Sequence, residues 1–128
     1  MKKIVVLGGG GFIGGHLSKR LKEEGNHVRI CDIKKHQYFY QDEICDEFIL
    51  GDLTDPKVVD LVIEEGVDEV YQLAASISKN DSNLIHNSVT INLNVFKECV
   101  KKKVKKVLYS SSDCKENSEY GWEKLFSE

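Results

Sequence analysis

A chain of 128 residues, 41% hydrophobic and 30% charged, is long enough to close one core and too short for two ordinary ones. Its formal net charge of -3 argues against a nucleic-acid partner and against binding at a membrane surface, since both call for a basic face. No apolar run approaches the roughly 20 residues that span a bilayer, and the stretch Ile4 to Leu7 behind Met1-Lys2-Lys3 is too short for the apolar region of a secretory signal.

Taken in chain order, short apolar runs alternate with amphipathic stretches. Ile4 to Leu7 is continuous in the manner of a strand covered on both faces. Ile13, Leu17 and Leu21 follow at helical spacing, and Gly25 ends that helix. Val28 to Cys31 is a second strand, and Glu47 to Leu50 a third and weaker one. Thr54 or Asp55 caps a helix with Pro56 in its first turn, with Val58, Val59, Val62 and Ile63 as its apolar stripe and Gly66 as its stop. Glu69 to Leu73 is a fourth strand. Leu84 to about Lys103 is a long helix that buries Ile91, Val95 and Cys99. Lys106 to Ser110 is a fifth strand, and Glu119 to Glu128 reads as helix. The lysines at 101, 102, 103, 105 and 106 read as a solvated helix end, where cations sit well against the dipole. This alternation predicts an α/β fold: a doubly wound, Rossmann-type parallel sheet of about five strands in the order 3-2-1-4-5. Its ligand crevice lies at the carboxyl edge, where the order reverses.

Gly8-Gly9-Gly10-Gly11-Phe12-Ile13-Gly14 falls between the first strand and the first helix, which is the context a dinucleotide fingerprint requires. Gly8 is suited to the tight turn, Gly11 leaves room for a pyrophosphate, and Gly14 allows close helix–strand packing. The helix N-terminus then offers N–H groups and a positive dipole end to the phosphates. The triphosphate-binding loop is excluded, because no Gly-Lys followed by Ser or Thr occurs. Asp32 closes the second strand where a carboxylate would bind the adenosine ribose, favouring NAD and repelling the extra phosphate of NADP; Lys34 and Lys35 weaken this without reversing it.

Tyr120 and Lys124 are one helical turn apart, so an ammonium would lie near a phenol, lower its pKa and fit it for acid/base work. They follow a strand ending in Ser110-Ser111-Ser112, hydroxyls for the same substrate oxygen. None of Cys31, Cys45, Cys99 and Cys114 forms a Cys-x-x-Cys pair, so reduced thiols in a cytoplasmic protein are expected, with no metal site.

In this order, Gly8 to Gly14, Asp32, Asp52-Leu53, Leu73-Ala74-Ala75, Asn92, Ser110 to Ser112, and Tyr120 with Lys124 resemble the extended short-chain dehydrogenase/reductases, which include the NAD-dependent sugar-nucleotide epimerases and dehydratases. Within that family the chain is most similar to the GDP-mannose 3,5-epimerases, through Asp32 to Lys35, Cys45 to Phe48, Gly66-Val67-Asp68, His86-Asn87-Ser88 and Tyr120 to Leu125. The resemblance implies NAD as cofactor, held by Gly8, Gly11, Phe12, Ile13, Gly14, Asp32, Lys34, Asp52, Leu53, Leu73, Ala74, Ala75, Asn92, Tyr120 and Lys124. It implies Ser112, Cys114, Tyr120 and Lys124 as the catalytic set, a nucleotide-sugar substrate of the GDP-mannose class, and a homodimer packed through the long helix and the one from Glu119.

Two departures qualify the expectation. Seven residues separate Ser112 from Tyr120, where the family has a much longer link, and Ser76 to Asn83 is a short polar stretch in place of a glycine-rich substrate loop. The chain stops just past Lys124, so residues 1–128 are expected to be a single NAD-binding domain without the family's C-terminal sugar-nucleotide domain. The function expected is that of the NAD-binding domain of such an enzyme; the alternative is an NAD-binding module or fragment without turnover of its own.

Overall fold

Strand β1 (Lys3–Leu7) is apolar on both faces because both are covered. Ile4 and Val6 pack into one cluster, and Val5 and Leu7 into another on the opposite side of the sheet. The computed structural model describes residues 1–35, 39–74 and 84–109. In it β1 is followed by α1 (Phe12–Glu23), β2 (His27–Asp32), α2 (Gln41–Ile44), β3 (Glu47–Leu50), α3 (Pro56–Val62), β4 (Glu69–Gln72), α4 (Leu84–Lys101) and β5 (Lys106–Tyr109). All pairings are parallel, in the order β3-β2-β1-β4-β5, with Val6 opposite both Ile30 and Tyr71. This is the architecture the alternation predicts.

The two clusters divide the helices. Val59 and Val62 of α3 join Ile91, Val95 and Cys99 of α4 over one face, and Leu21 of α1 joins Ile44 of α2 over the other. Each fully buried aliphatic side chain contributes about 1.5–3 kcal/mol, so sheet and helices hold each other in place.

The helix ends follow their local chemistry. Asp55 caps α3 by accepting from Lys57 N at 3.0 Å, with Pro56 in the first turn. Helix α1 closes with Gly25 at φ +91°, where Asn26 N bonds Leu21 O and Gly25 N bonds Lys22 O. Helix α4 closes in the same way with Lys103 at φ 56°. Within the basic cluster, the partly buried Lys102 bonds the Asp60 carboxylate at 2.7 Å, with Glu98 at 3.3 Å, so it staples α4 to α3.

One helix escapes the sequence reading, and one helix face changes. Helix α2 has no period to detect in four residues; buried Ile44 and the Lys22 ammonium, which donates to Asp42 O and Cys45 O, hold it in place. In α1 the inward face is Gly14, Gly15, Ser18 and Leu21, while Ile13 is exposed. At Gly14 the helix lies too close to the Gly8-Gly9 backbone for a side chain.

At the amino edge, Arg29 on β2 faces its register partner Glu47 on β3, with Nε to Oε2 at 2.7 Å. Its guanidinium also bonds Glu64 and the Val62 carbonyl at the end of α3. The hydrogen bond from Arg29, with a second from His27, holds the Glu47 carboxyl down at about 2. A depressed carboxyl stabilises the fold above its ordinary value of 4.5, and this contribution disappears as pH falls from there toward 2. The thermal midpoint should therefore drop through that acid window, and Glu47→Gln should flatten the drop while lowering the midpoint at neutral pH. An unchanged acid profile in the variant would refute the assignment.

Candidate functional site

The order reversal puts the carboxyl ends of β1 and β4 side by side, and the turn after β1 lies at that edge. Gly8 sits there at φ +87°, and a Cβ on it would lie 2.8 Å from Ala74 N in the segment after β4. The turn is therefore pressed against Leu73-Ala74 backbone to backbone. A Cβ on Gly14 would lie 2.4 Å from Gly8 O and 2.7 Å from Gly9 Cα, so the first turn of α1 rests directly on the loop.

Gly11, the N-cap of α1, is different. Its φ of -84° suits any residue, and among the described residues a Cβ there would meet only Gly8 O at 3.5 Å, an ordinary contact. Nothing among the described residues calls for glycine at this position. The space that a side chain would fill lies at the head of a 12-residue helix with no acidic residue in its first turn. First-turn amides of a helix lack intrahelical acceptors, and with the dipole they favour an anion. Phe12 and Ile13 flank this space, exposed.

Asp32 ends β2 beside the turn. Its Oδ2 accepts from Gly10 N at 2.8 Å and its Oδ1 from Ile33 N at 2.6 Å, with Lys34 N at 3.4 Å. The carboxylate is thus oriented by backbone and keeps acceptor capacity for hydroxyls. The Lys34 side chain is exposed, while its carbonyl would lie 2.3 Å from a Cβ on Gly10, so acid and turn interlock. Asp52, after β3, accepts from Thr54 N and Oγ1 at 2.9 and 2.8 Å. The Leu53 side chain is in the core, so only its backbone faces outward. Cys31 lies under this edge; burial, then the charges of Asp32 and Asp52, push its thiol up to about 12. It stays protonated and unreactive.

Three supporting residues escaped the sequence reading. Gly10 admits the Asp32 loop, Asn94 of α4 donates to Leu53 O and Thr54 O at 3.0 and 3.1 Å, and Gln72 binds Ala74. Asparagine or glutamine on a covered element gives no sequence signal of what it holds. Asn92 accepts from Gln72 at 2.8 Å. Ala75, the segment 76–83, Ser110, Ser111, Ser112, Cys114, Tyr120, Lys124 and the stretch from Glu119 lie outside the described residues. Among the described residues no group of three or more His, Cys, Asp or Glu is placed to hold a metal.

The contrast between two glycines is measurable. Gly14→Ala forces a methyl into backbone at 2.4 Å and should destabilise by about 3 kcal/mol, the upper end of overpacking costs. Gly11→Ala should cost about 1 kcal/mol or less, as a change of N-cap alone. Equal losses in chemical denaturation would contradict this division of labour.

The model of the NAD dependent epimerase/dehydratase family matches residues 4–125. GDP-mannose 3,5-epimerase of Arabidopsis thaliana is 38% identical over 120 residues, covering 88% of this chain and 31% of that protein. Probable UDP-arabinose 4-epimerase 3 of the same plant is 32% identical over 124 residues, covering 85% of this chain and 30% of that protein. The chain thus spans less than a third of the length of these curated relatives. Among solved structures, the UDP-glucose 4-epimerase of Thermotoga maritima superposes with a TM-score of 0.83 at 22% identity, over 98% of this chain and 48% of its own; this likeness is one of fold. With a family model that runs nearly end to end, the chain belongs to the NAD dependent epimerase/dehydratase family.

Proposed function

We propose that this chain holds NAD at the carboxyl edge of its sheet, as the cofactor domain of a sugar-nucleotide epimerase or dehydratase of the GDP-mannose 3,5-epimerase type. The observation that carries the reading is Gly11: a glycine that no described neighbour requires, at the head of a helix, beside an oriented carboxylate. The pyrophosphate would lie on the first turn of α1, with the adenosine ribose on Asp32. A 2′-phosphate would bring further negative charge against that carboxylate, so NAD is preferred over NADP.

Bound there, NAD supplies the transient oxidation of one sugar hydroxyl. The chain's own part follows from the resemblance. Tyr120 takes the hydroxyl proton, Lys124 keeps the phenol acidic enough to do so, Ser112 binds the same oxygen, and Cys114 moves a proton at a sugar carbon made acidic by the neighbouring ketone. The seven-residue link between Ser112 and Tyr120 favours a second reading, an NAD-binding module without turnover. Deuterium uptake at the sugar carbons of GDP-mannose in heavy water separates the two.

Leu93, Phe96 and Val100 are exposed along one stripe of α4, and this supports a homodimer packed through that helix. No helix among the described residues is long and apolar enough to cross a membrane. Cys31, Cys45 and Cys99 are unpaired and buried, which supports a cytoplasmic setting.

Removing the Asp32 carboxylate with Asp32→Ala should weaken NAD binding about tenfold and narrow its margin over NADP, read by calorimetry with both cofactors. Undiminished NAD affinity would place the ribose elsewhere. For the dimer, Phe96→Glu should shift sedimentation velocity to the monomer without loss of helicity. A wild-type chain that already sediments as a monomer would overturn that arrangement.

A further inference from the structure

Three polar residues are buried among the described ones: Ser18, Glu69 and Gln72. Ser18 bonds back into its own helix at Gly14 O, and Glu69 belongs to the amino edge, where Lys2 and Tyr71 bind it. Gln72 alone of the three stands at the carboxyl edge, as the last residue of β4, 1% exposed.

Its amide is almost fully used. Nε2 donates to Ala74 O at 2.9 Å and to Asn92 Oδ1 at 2.8 Å, and Oε1 accepts from Ala74 N at 3.0 Å. Both backbone groups of Ala74 are held by one side chain, just where the chain leaves the ladder. The last bond before that point is Leu73 N to Leu7 O at 2.8 Å. The same Ala74 nitrogen lies 2.8 Å from where a Cβ of Gly8 would be. The position of Ala74 thus sets how close the segment after β4 comes to the glycine turn, and Gln72 sets the position of Ala74. Asn92 on α4 fixes the amide from the other side. Buried amides are kept where their bonds specify one arrangement, because leaving a partner unpaired is costly.

We propose that Gln72, backed by Asn92, is a positioning residue of the cofactor site: its side-chain amide fixes the Ala74 backbone against the Gly8 turn and so sets the width of the crevice. This rests on the reading that the crevice takes NAD.

The test is an NAD titration of the full chain and three variants, in the cold, where each is shown to be folded by circular dichroism. Gln72→Leu keeps the volume, removes three hydrogen bonds and should weaken NAD about tenfold or more. Asn92→Ala removes one support and should weaken it about threefold. Val59→Ala, remote in the α3 core, should lower the unfolding temperature and leave NAD affinity unchanged, which separates positioning from general loss of stability. If Gln72→Leu does not fold, Gln72→Met, which keeps the length of the side chain and removes the same three hydrogen bonds, takes its place. Binding by the wild type with unchanged affinity in the folded variants overturns the positioning role and leaves the NAD reading intact. Absence of NAD binding by the wild type overturns both.

Discussion

Everything at the carboxyl edge depends on one contact that contains no side chain. The first turn of α1 lies on the Gly8-Gly9 backbone, at a distance that a methyl on Gly14 would close to 2.4 Å, and Gly8 in turn lies against Ala74. Three segments from different parts of the chain, after β1, at the start of α1 and after β4, are brought to backbone contact. The helix head therefore faces the crevice between β1 and β4, and no large side chain of the glycine turn stands in front of it. A turn of ordinary residues would hold the helix farther out and leave its first amides pointing at bulk water.

Around this contact the structure uses polar side chains as braces. Asp32 holds Gly10 from β2, Gln72 holds Ala74 from β4, and Asn94 holds Leu53 and Thr54 from α4. Each brace runs from a covered element to a loop that the sheet alone would not fix. The apolar clusters on the two faces keep those elements in register, and the Arg29–Glu47 pair closes the opposite edge. Most of the burial that stabilises the fold lies in the clusters, with the amino-edge charges beside them, while the glycines and amides at the carboxyl edge set the geometry of the site.

What the sequence makes legible follows from the same arrangement. Apolar period and breakers place all five strands within a residue or two, and the long helices with them, because burial on two faces leaves a pattern. The glycine turn and Asp32 are legible because their roles need residue types that stand out at fixed spacing. Helix α2 leaves no pattern in four residues, and Ile13 misleads because the helix packs there through glycines. The braces are silent for a different reason: a Gln at the end of a strand, or an Asn in a helix, takes its meaning from a partner far along the chain, such as Ala74 for Gln72 or Leu53 for Asn94. The chemistry assigned to Ser112, Cys114, Tyr120 and Lys124 belongs to residues outside those the structure describes, so it rests on sequence resemblance.

The central claim is that a dinucleotide sits on the glycine turn with its ribose on Asp32. A two-dimensional amide NMR titration of the labelled chain with NAD tests binding and place together. The account predicts saturable shifts concentrated in residues 8–14, 32–34 and 73–74, with the amino-edge residues around Arg29 and Glu47 unmoved. Shifts that fail to appear at saturating NAD, or that cluster away from the glycine turn, would contradict it.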